Sequence, residues 1–293
     1  VRIFPLESFT LSTALSVFVD ATLITLVLAL AAFGLAVIFG LVGVINMGHG
    51  AMLTLGAYLM WATTKMGTPF VLAVIISAVG VGLIGLLLEH VVIRHFYEEP
   101  LETLLLTWGF FLITTELIKI VFGTNLREVI NPLPGSFELG TVRFPVYRTL
   151  VALFSVVLIV TAALVFYKTR IGIRIRALMQ NAEVASLLGL NIRLTYKLVF
   201  VTGSFMAGLA GALISPMLSV DPYIGNIFLV RSFFAVTVGG VGQILGGTLA
   251  GSFLVGGMET VFALVSSQVV AQTIVFAFAI VILRFRPQGV VTS

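Results

Sequence analysis

Aspartate, glutamate, lysine and arginine are absent from eight runs of this chain: 8–19, 21–64, 66–88, 103–115, 149–167, 198–220, 232–258 and 260–283. A helix needs about 20 residues to cross a hydrocarbon layer of roughly 30 Å. Lipid offers no partner to a backbone N–H or C=O, so such runs are predicted to be helical. The short segments of strict alternation that mark a transmembrane β-barrel are not seen. Two stretches are too long for one helix. At 1.5 Å per residue, 21–64 would reach about 66 Å and must break, with Gly48-His49-Gly50 as the expected place. The stretch 232–283, interrupted only by Glu259, must also turn back, at Gly239-Gly240-Val241-Gly242, Gly246-Gly247 or Ser266-Ser267.

Crossings are therefore expected near 20–43, 50–64, 68–90, 101–122, 149–167, 198–219, 228–241, 246–265 and 268–284. Eight or nine are possible, because 45–50 or 224–242 can re-enter instead of spanning. Residues 8–19 are too short to cross and are expected at the interface. The glycines gather in 34–56 and 239–257, where breaks and close helix contacts are expected. These windows also echo each other at a fixed offset: Gly40/Gly239, Val42/Val241, Gly43/Gly242, Ile45/Ile244, Gly48/Gly247, Ala51/Ala250 and Leu55/Leu254. Internal repeats whose broken helices meet at the substrate path are a transporter trait.

Composition agrees with the pattern. Of 293 residues, 59% are hydrophobic and 10% charged, against roughly a quarter charged in soluble domains. The fold class is an all-α polytopic membrane protein, read as a single transmembrane domain over 1–293. Net charge is +4, and its location decides its meaning. The connection 168–197 carries Lys168, Arg170, Arg174, Arg176, Arg193 and Lys197 against Glu183 alone. Basic residues beside spans mark the cytoplasmic side, so this loop is expected inside, as is the tail with Arg284 and Arg286. The proline-containing connection 123–148 is expected outside, which puts the amino terminus outside and the carboxyl terminus inside. The basic excess thus reports orientation and gives no reason to expect nucleic acid as a partner.

Several chemistries are excluded. Without cysteine there is no disulfide, thiolate metal site or thiol nucleophile. No lysine follows a glycine, so no P-loop is present. His90 and His95 lack the spacing of a helical zinc motif, and no metal or cofactor is expected in this chain. Glu116 and Lys119 are expected to pair on one helix face. Glu259 is expected near a wet span end, and Arg231 within reach of Asp221. No acidic relay runs through the spans as a proton-coupled carrier requires.

Two features carry candidate function. Asn46 and His49 lie among Gly48 and Gly50 inside a charge-free stretch; they are either a helix turn capped by Asn46 or an unwound segment lining a solute route, and the two readings stand level. Residues 180–190 read as a short helix with Glu183 in its first turn, an apolar stripe of Ala182, Ala185 and Leu188, and Gly189 as its stop. It rests on lipid headgroups or docks into a protein groove.

Gly40-Leu-Val-Gly-Val-Ile-Asn-Met-Gly-His-Gly50, followed by Leu55-Gly-Ala-Tyr58, resembles the signature of permease subunits of branched-chain amino acid ABC importers, a family that includes urea and short-chain amide importers. The likeness extends through Glu102–Gly109, Thr169–Gly172, Ala185–Asn191, Gly239–Gln243 and Arg286–Gly289. The chain departs from the common pattern at Met47-Gly48 and at Ala51, where an acidic residue often stands; branched-chain amino acids, urea and amides all stay open as solutes. The resemblance implies a type II ABC importer permease-like fold, with two ATP-binding subunits, a second, related permease chain, and an external substrate-binding protein in a bacterial inner membrane. It further implies a path at Asn46, Gly48, His49 and Gly50, and ATPase coupling through Glu183, Ala185, Ser186, Leu187, Leu188 and Gly189. An ATP-independent channel for urea-like solutes is the rival reading.

Overall fold

The computed structural model describes residues 11–140 and 142–291. Helix α1 (Leu11–Val42) is followed by α2 (His49–Lys65), α3 (Phe70–Val91) and α4 (Pro100–Phe122). A hairpin of β1 (Ser136–Leu139) and β2 (Val142–Pro145) precedes α5 (Val146–Lys168). Two short helices follow, α6 (Arg170–Gln180) and α7 (Ala182–Leu187), then α8 (Ile192–Ile214) and α9 (Ile224–Gly239). The last stretch is α10 (Gly246–Ser252), a π-helical segment (Phe253–Gly257), α11 (Met258–Val265) and α12 (Gln268–Phe285). Seven helical stretches among the described residues are long and apolar enough to cross a membrane. Helices α2 and α9, with 17 and 16 residues, reach only about 26 and 24 Å. Helix α9 falls on the stretch 224–242, expected either to span or to re-enter, whereas α2 falls on 50–64, expected to cross.

Two boundaries differ from expectation. Residues 11–19, expected at the interface, continue into α1 (8–10 lie outside the described residues). No Pro or Gly interrupts 11–33, and the one charge, Asp20, lies 3.9 Å from Arg148, so the helix has no reason to stop. The break after α1 also comes earlier than Gly48-His49-Gly50. It occurs at Gly43, whose φ of +74° is open to glycine at little cost, and Gly50 sits inside α2. At the echoed position Gly242 has φ +95°. Both windows are helix–turn–helix units, and they touch: Gly40 packs on Ile244.

Partner contacts sort the connections into two ends. Arg127 pairs backbone-to-backbone with Val220, the Tyr147 hydroxyl donates to Leu213 O at 2.8 Å, and Phe70 stacks edge-on against Tyr147; these belong to the hairpin end. At the opposite end Tyr97 meets Tyr196, and the tail donates from Val290 and Val291 to Val238 and Gly239. Helices α3, α4 and α8 therefore each run from one end of the bundle to the other.

Helix α1 is apolar all round and buried, with Ala29, Leu30 and Ala32 fully inside, as a central helix must be. It packs with α2 and α3 around α8. Small residues on α8 permit the approach: Gly203 meets Gly34 and Ile38, Gly208 meets Val81, and Gly211 abuts the Leu53 carbonyl. With lipid on the other side as apolar as leucine, such close packing is a main source of helix association. Helices α3, α4, α5 and α12 instead turn large apolar side chains outward, such as Leu83, Ile120, Val157 and Val281, toward lipid. A Cβ at Gly211 would overlap backbone. Gly211→Leu is expected to cost about 3 kcal/mol and to collapse the monodisperse peak in size-exclusion chromatography. Gly109→Leu, where a Cβ meets nothing within 4 Å, should keep it.

Candidate translocation path and coupling surface

After Gly43 the chain runs back along α1 without helical structure, so that α2 starts deep in the bundle. His49 marks the depth: its Nε2–H donates to the Ala31 carbonyl at 2.9 Å, eleven residues before the end of α1, and its ring lies against Gly34. Because a carbonyl can only accept, Nε2 carries the proton and Nδ1 is the bare nitrogen. Nδ1 is buried without a partner. Asn46 is also fully buried, and neither Nδ2 nor Oδ1 has a partner. It does not cap α2: the N-cap is Gly48, with no side-chain hydrogen bond. The turn is tied instead by the Met47 amide donating to Thr107 Oγ1 at 3.1 Å. Gly48 has Phe110 and Asn46 against it, so a side chain there would collide.

The first turns of the two short helices meet. Gly50 lies on Gly225, Thr54 Oγ1 accepts from the Gly225 amide at 3.1 Å and donates to Gly50 O at 3.1 Å. Asn46, Gly48, His49 and Gly50 thus come together at a buried junction of α1, α2, α4 and α9. Its unpaired groups are those of Asn46 and His49. A buried polar side chain usually finds a partner, and one left bare among small residues can hydrogen-bond a passing solute.

At the basic end the 168–197 connection is two helices, of which α6 was not anticipated. Its first turn is capped by Thr169, whose Oγ1 accepts from the Gly172 amide at 3.3 Å, and Gly172 presses on the end of α5. Arg176 folds back to the Phe166 carbonyl and over the Phe166 ring. Helix α7 is capped by Asn181 Oδ1, which accepts from the Val184 amide at 3.0 Å. It ends where Gly189 adopts φ +84°. The expected stripe of Ala182, Ala185 and Leu188 does not share one face. Ala185 turns into the protein at 2% exposure, whereas Leu187 and Leu188 stand out at 83% and 77%, because Leu188 lies past the last helical residue. Glu183 and Ser186 flank this ridge, both exposed, with Ser186 Oγ donating to Glu183 O at 2.7 Å.

Beside α7 a groove of about 1230 Å³ runs between the α3–α4 connection and the start of α8. Its wall is stiffened by Tyr97, whose hydroxyl donates to Glu89 Oε1 at 3.1 Å and whose ring stands edge-on to Tyr196. Burial, then the Glu89 carboxylate, pushes the Tyr97 hydroxyl well above the usual phenol range, so it stays a donor. Lys119 pairs with Glu116 at 2.5 Å, as expected.

Two other charges are placed differently from expectation. Arg231 is two turns into α9 and faces α11 and α12, away from Asp221, which accepts from the Tyr223 amide. Arg231 Nη2 donates to Glu259 Oε1 at 2.6 Å, and Gln268 Nε2 donates to the same oxygen. Glu259 is 5% exposed, so it is not a wet span end. Nothing in the local sequence links residues 28 positions apart; only the fold brings them together.

Long apolar helices, two short helices with buried starts, and unpaired polar groups at their junction define a polytopic membrane permease. The chain belongs to the family of branched-chain amino acid transport system permease components, whose sequence model matches residues 17–284. It is similar to the high-affinity branched-chain amino acid transport system permease protein BraD of Pseudomonas aeruginosa, 26% identical over 280 residues that cover 89% of this chain and 90% of that one. LivH, the corresponding permease protein of Escherichia coli K12, is 27% identical over 284 residues, with the same coverage of each chain. A probable LivH of Methanocaldococcus jannaschii is 25% identical over 242 residues, 80% of this chain and 76% of that one. No solved structure matches the chain.

Proposed function

We propose that the chain is the permease subunit of an ABC importer that moves a small polar or amphipathic solute, using ATP hydrolysed by separate subunits. The observation that carries this reading is the α7 ridge: Leu187 and Leu188 stand exposed at the basic end, on a helix capped at both ends. A soluble protein gains little by displaying two leucines to water, but a docking helix that fills a partner's groove needs such anchors. The basic end then faces the cytoplasm and receives two ATP-binding subunits. A second permease chain and an external substrate-binding protein complete the assembly in a bacterial inner membrane. The Asn46–Gly50 junction lies on the route, and closure of the ATPases pulls on it through α7 and α8.

The printed names of the relatives support a branched-chain amino acid as solute; urea and short-chain amides remain the competing class. Uptake of radiolabelled leucine, urea and acetamide into vesicles tests both points. Uptake of one of them is expected only with ATP, the ATPase and the binding protein together. Equal uptake without them would instead establish a channel.

A further inference from the structure

A second site lies nearer the hairpin end, outside the Asn46–Gly50 junction. A cavity of about 370 Å³ opens between α1, α9, α11 and the start of α12, within the roughly 300–1,000 Å³ of small-molecule sites. Its walls are mostly aliphatic and aromatic, with Leu28, Ile214, Met217 and Phe228. Its charged and amide groups are Arg148, Arg231, Glu259 and Gln268; Thr260 also lines it, with its hydroxyl donating to the Gly256 carbonyl at 2.9 Å. The floor abuts the junction. Leu28 is one helical turn from Ala31, which holds His49, and Phe228 adjoins Leu229, which packs on Gly50.

Ionisable groups within membrane spans are costly and usually tied to function. A pair that only pinned α9 to α11 would be expected to satisfy itself. Here Arg231 Nε is buried with no partner, while one carboxylate oxygen takes both Arg231 and Gln268. Arg148 also lines the cavity, held only loosely by Asp20 at 3.9 Å, so a second guanidinium is within the lining beside the Arg231–Glu259 pair. The π-helical turn Phe253–Gly257 ends just before Met258, and its Gly256 lines the cavity; such turns recur where a helix is reshaped for a site.

We infer that this cavity is the permease's own receiving station for a zwitterion with a short aliphatic arm. The carboxylate is taken by Arg231 and Arg148, the ammonium by Glu259 with Gln268, and the arm by Leu28, Ile214 and Phe228. The solute opens the Arg231–Glu259 pair by offering each member a partner of opposite charge. This inference rests on the importer reading, and it assigns recognition to residues that an uncharged amide would not need.

The test is equilibrium binding of radiolabelled leucine to the purified complex without its binding protein, run beside ATP-driven uptake by the wild type. Arg231→Gln and Glu259→Gln are each expected to weaken binding at least tenfold. The charge-swapped pair Arg231→Glu with Glu259→Arg should restore assembly but not binding, since the pair re-forms while each charge faces the wrong end of the solute. 4-Methylpentanoate and isoamylamine, each lacking one charge, should compete at least tenfold less well than leucine. Undetectable binding to the wild type, unchanged binding in both single variants, recovery of binding by the swap, or urea competing as well as leucine overturns the inference. If the single variants prevent assembly, the swap and the competition series still decide. Loss of ATP dependence in wild-type uptake would instead sink the importer reading, so the two failures are distinguishable.

Discussion

Leu187→Asp is expected to leave the permease folded in the membrane while abolishing both ATP-driven uptake and co-purification of the ATPase subunits. In the isolated chain Leu187 is 83% exposed, and exposed substitutions away from special features usually change stability by no more than about 0.5 kcal/mol. The cost arises on docking. A buried aliphatic anchor is replaced by a carboxylate that must shed its water, and losing one anchor of an interface costs about 2–4 kcal/mol, roughly 30- to 1,000-fold in affinity. Gly189→Trp reaches the same end by another route. Its φ of +84° is unfavourable to any side chain with a Cβ, so the cap of α7 must rearrange and the ridge loses its aim. Pull-down of the ATPase from detergent, with the permease quantified in the same membranes, separates docking from insertion. Normal complex yield and normal uptake in both variants would remove α7 from the coupling role.

How far the sequence could reveal this architecture depends on what each feature rests upon. The placement and order of the long apolar helices follow from charge-free runs, since one unpaired charge in lipid costs more than local preferences can offset. The stop at Ser266-Ser267 and the breaks at Gly239–Gly242 were legible for the same reason: a run too long for the membrane must fold back, and those residues tolerate it. The position of the first break was less legible. Gly43 and Gly48 are both glycines in one charge-free stretch, and only the packing of His49 on Gly34 and Ala31 selects Gly43 as the turn and buries the start of α2. The role of the α8 glycines is less legible, because Gly203, Gly208 and Gly211 are spread along the helix, outside the two glycine-rich windows, and only the close approach of α1, α2 and α3 shows what they admit. Helix α6 is short, rich in arginine and carries a glycine at its third position, so its local sequence does not by itself favour a helix; the Thr169 cap and the contact of Gly172 with the end of α5 fix it. The Arg231–Glu259 pair was beyond reach altogether, because it depends on how α9 and α11 rotate about their own axes.

The second large effect concerns Asn46, where stability and transport should move in opposite directions. Its amide is buried with no hydrogen bond, and an unsatisfied buried polar group costs about 1–3 kcal/mol. Leucine has the same branching and number of heavy atoms, is somewhat bulkier in its two methyl groups, and leaves no polar group unsatisfied. Asn46→Leu is therefore expected to raise the thermal midpoint of the purified permease, while uptake falls at least tenfold because the route loses a group able to bond the solute. His49→Ala should behave differently. It removes the bond to the Ala31 carbonyl and empties the space beside Gly34, so folded yield and uptake fall together. The contrast separates a residue kept for the path from one that also builds it. A helix turn with no role in transport would allow Asn46→Leu to be more stable and fully active, and that single result, read from a melting curve and an uptake assay on the same preparation, would return the junction to structure alone.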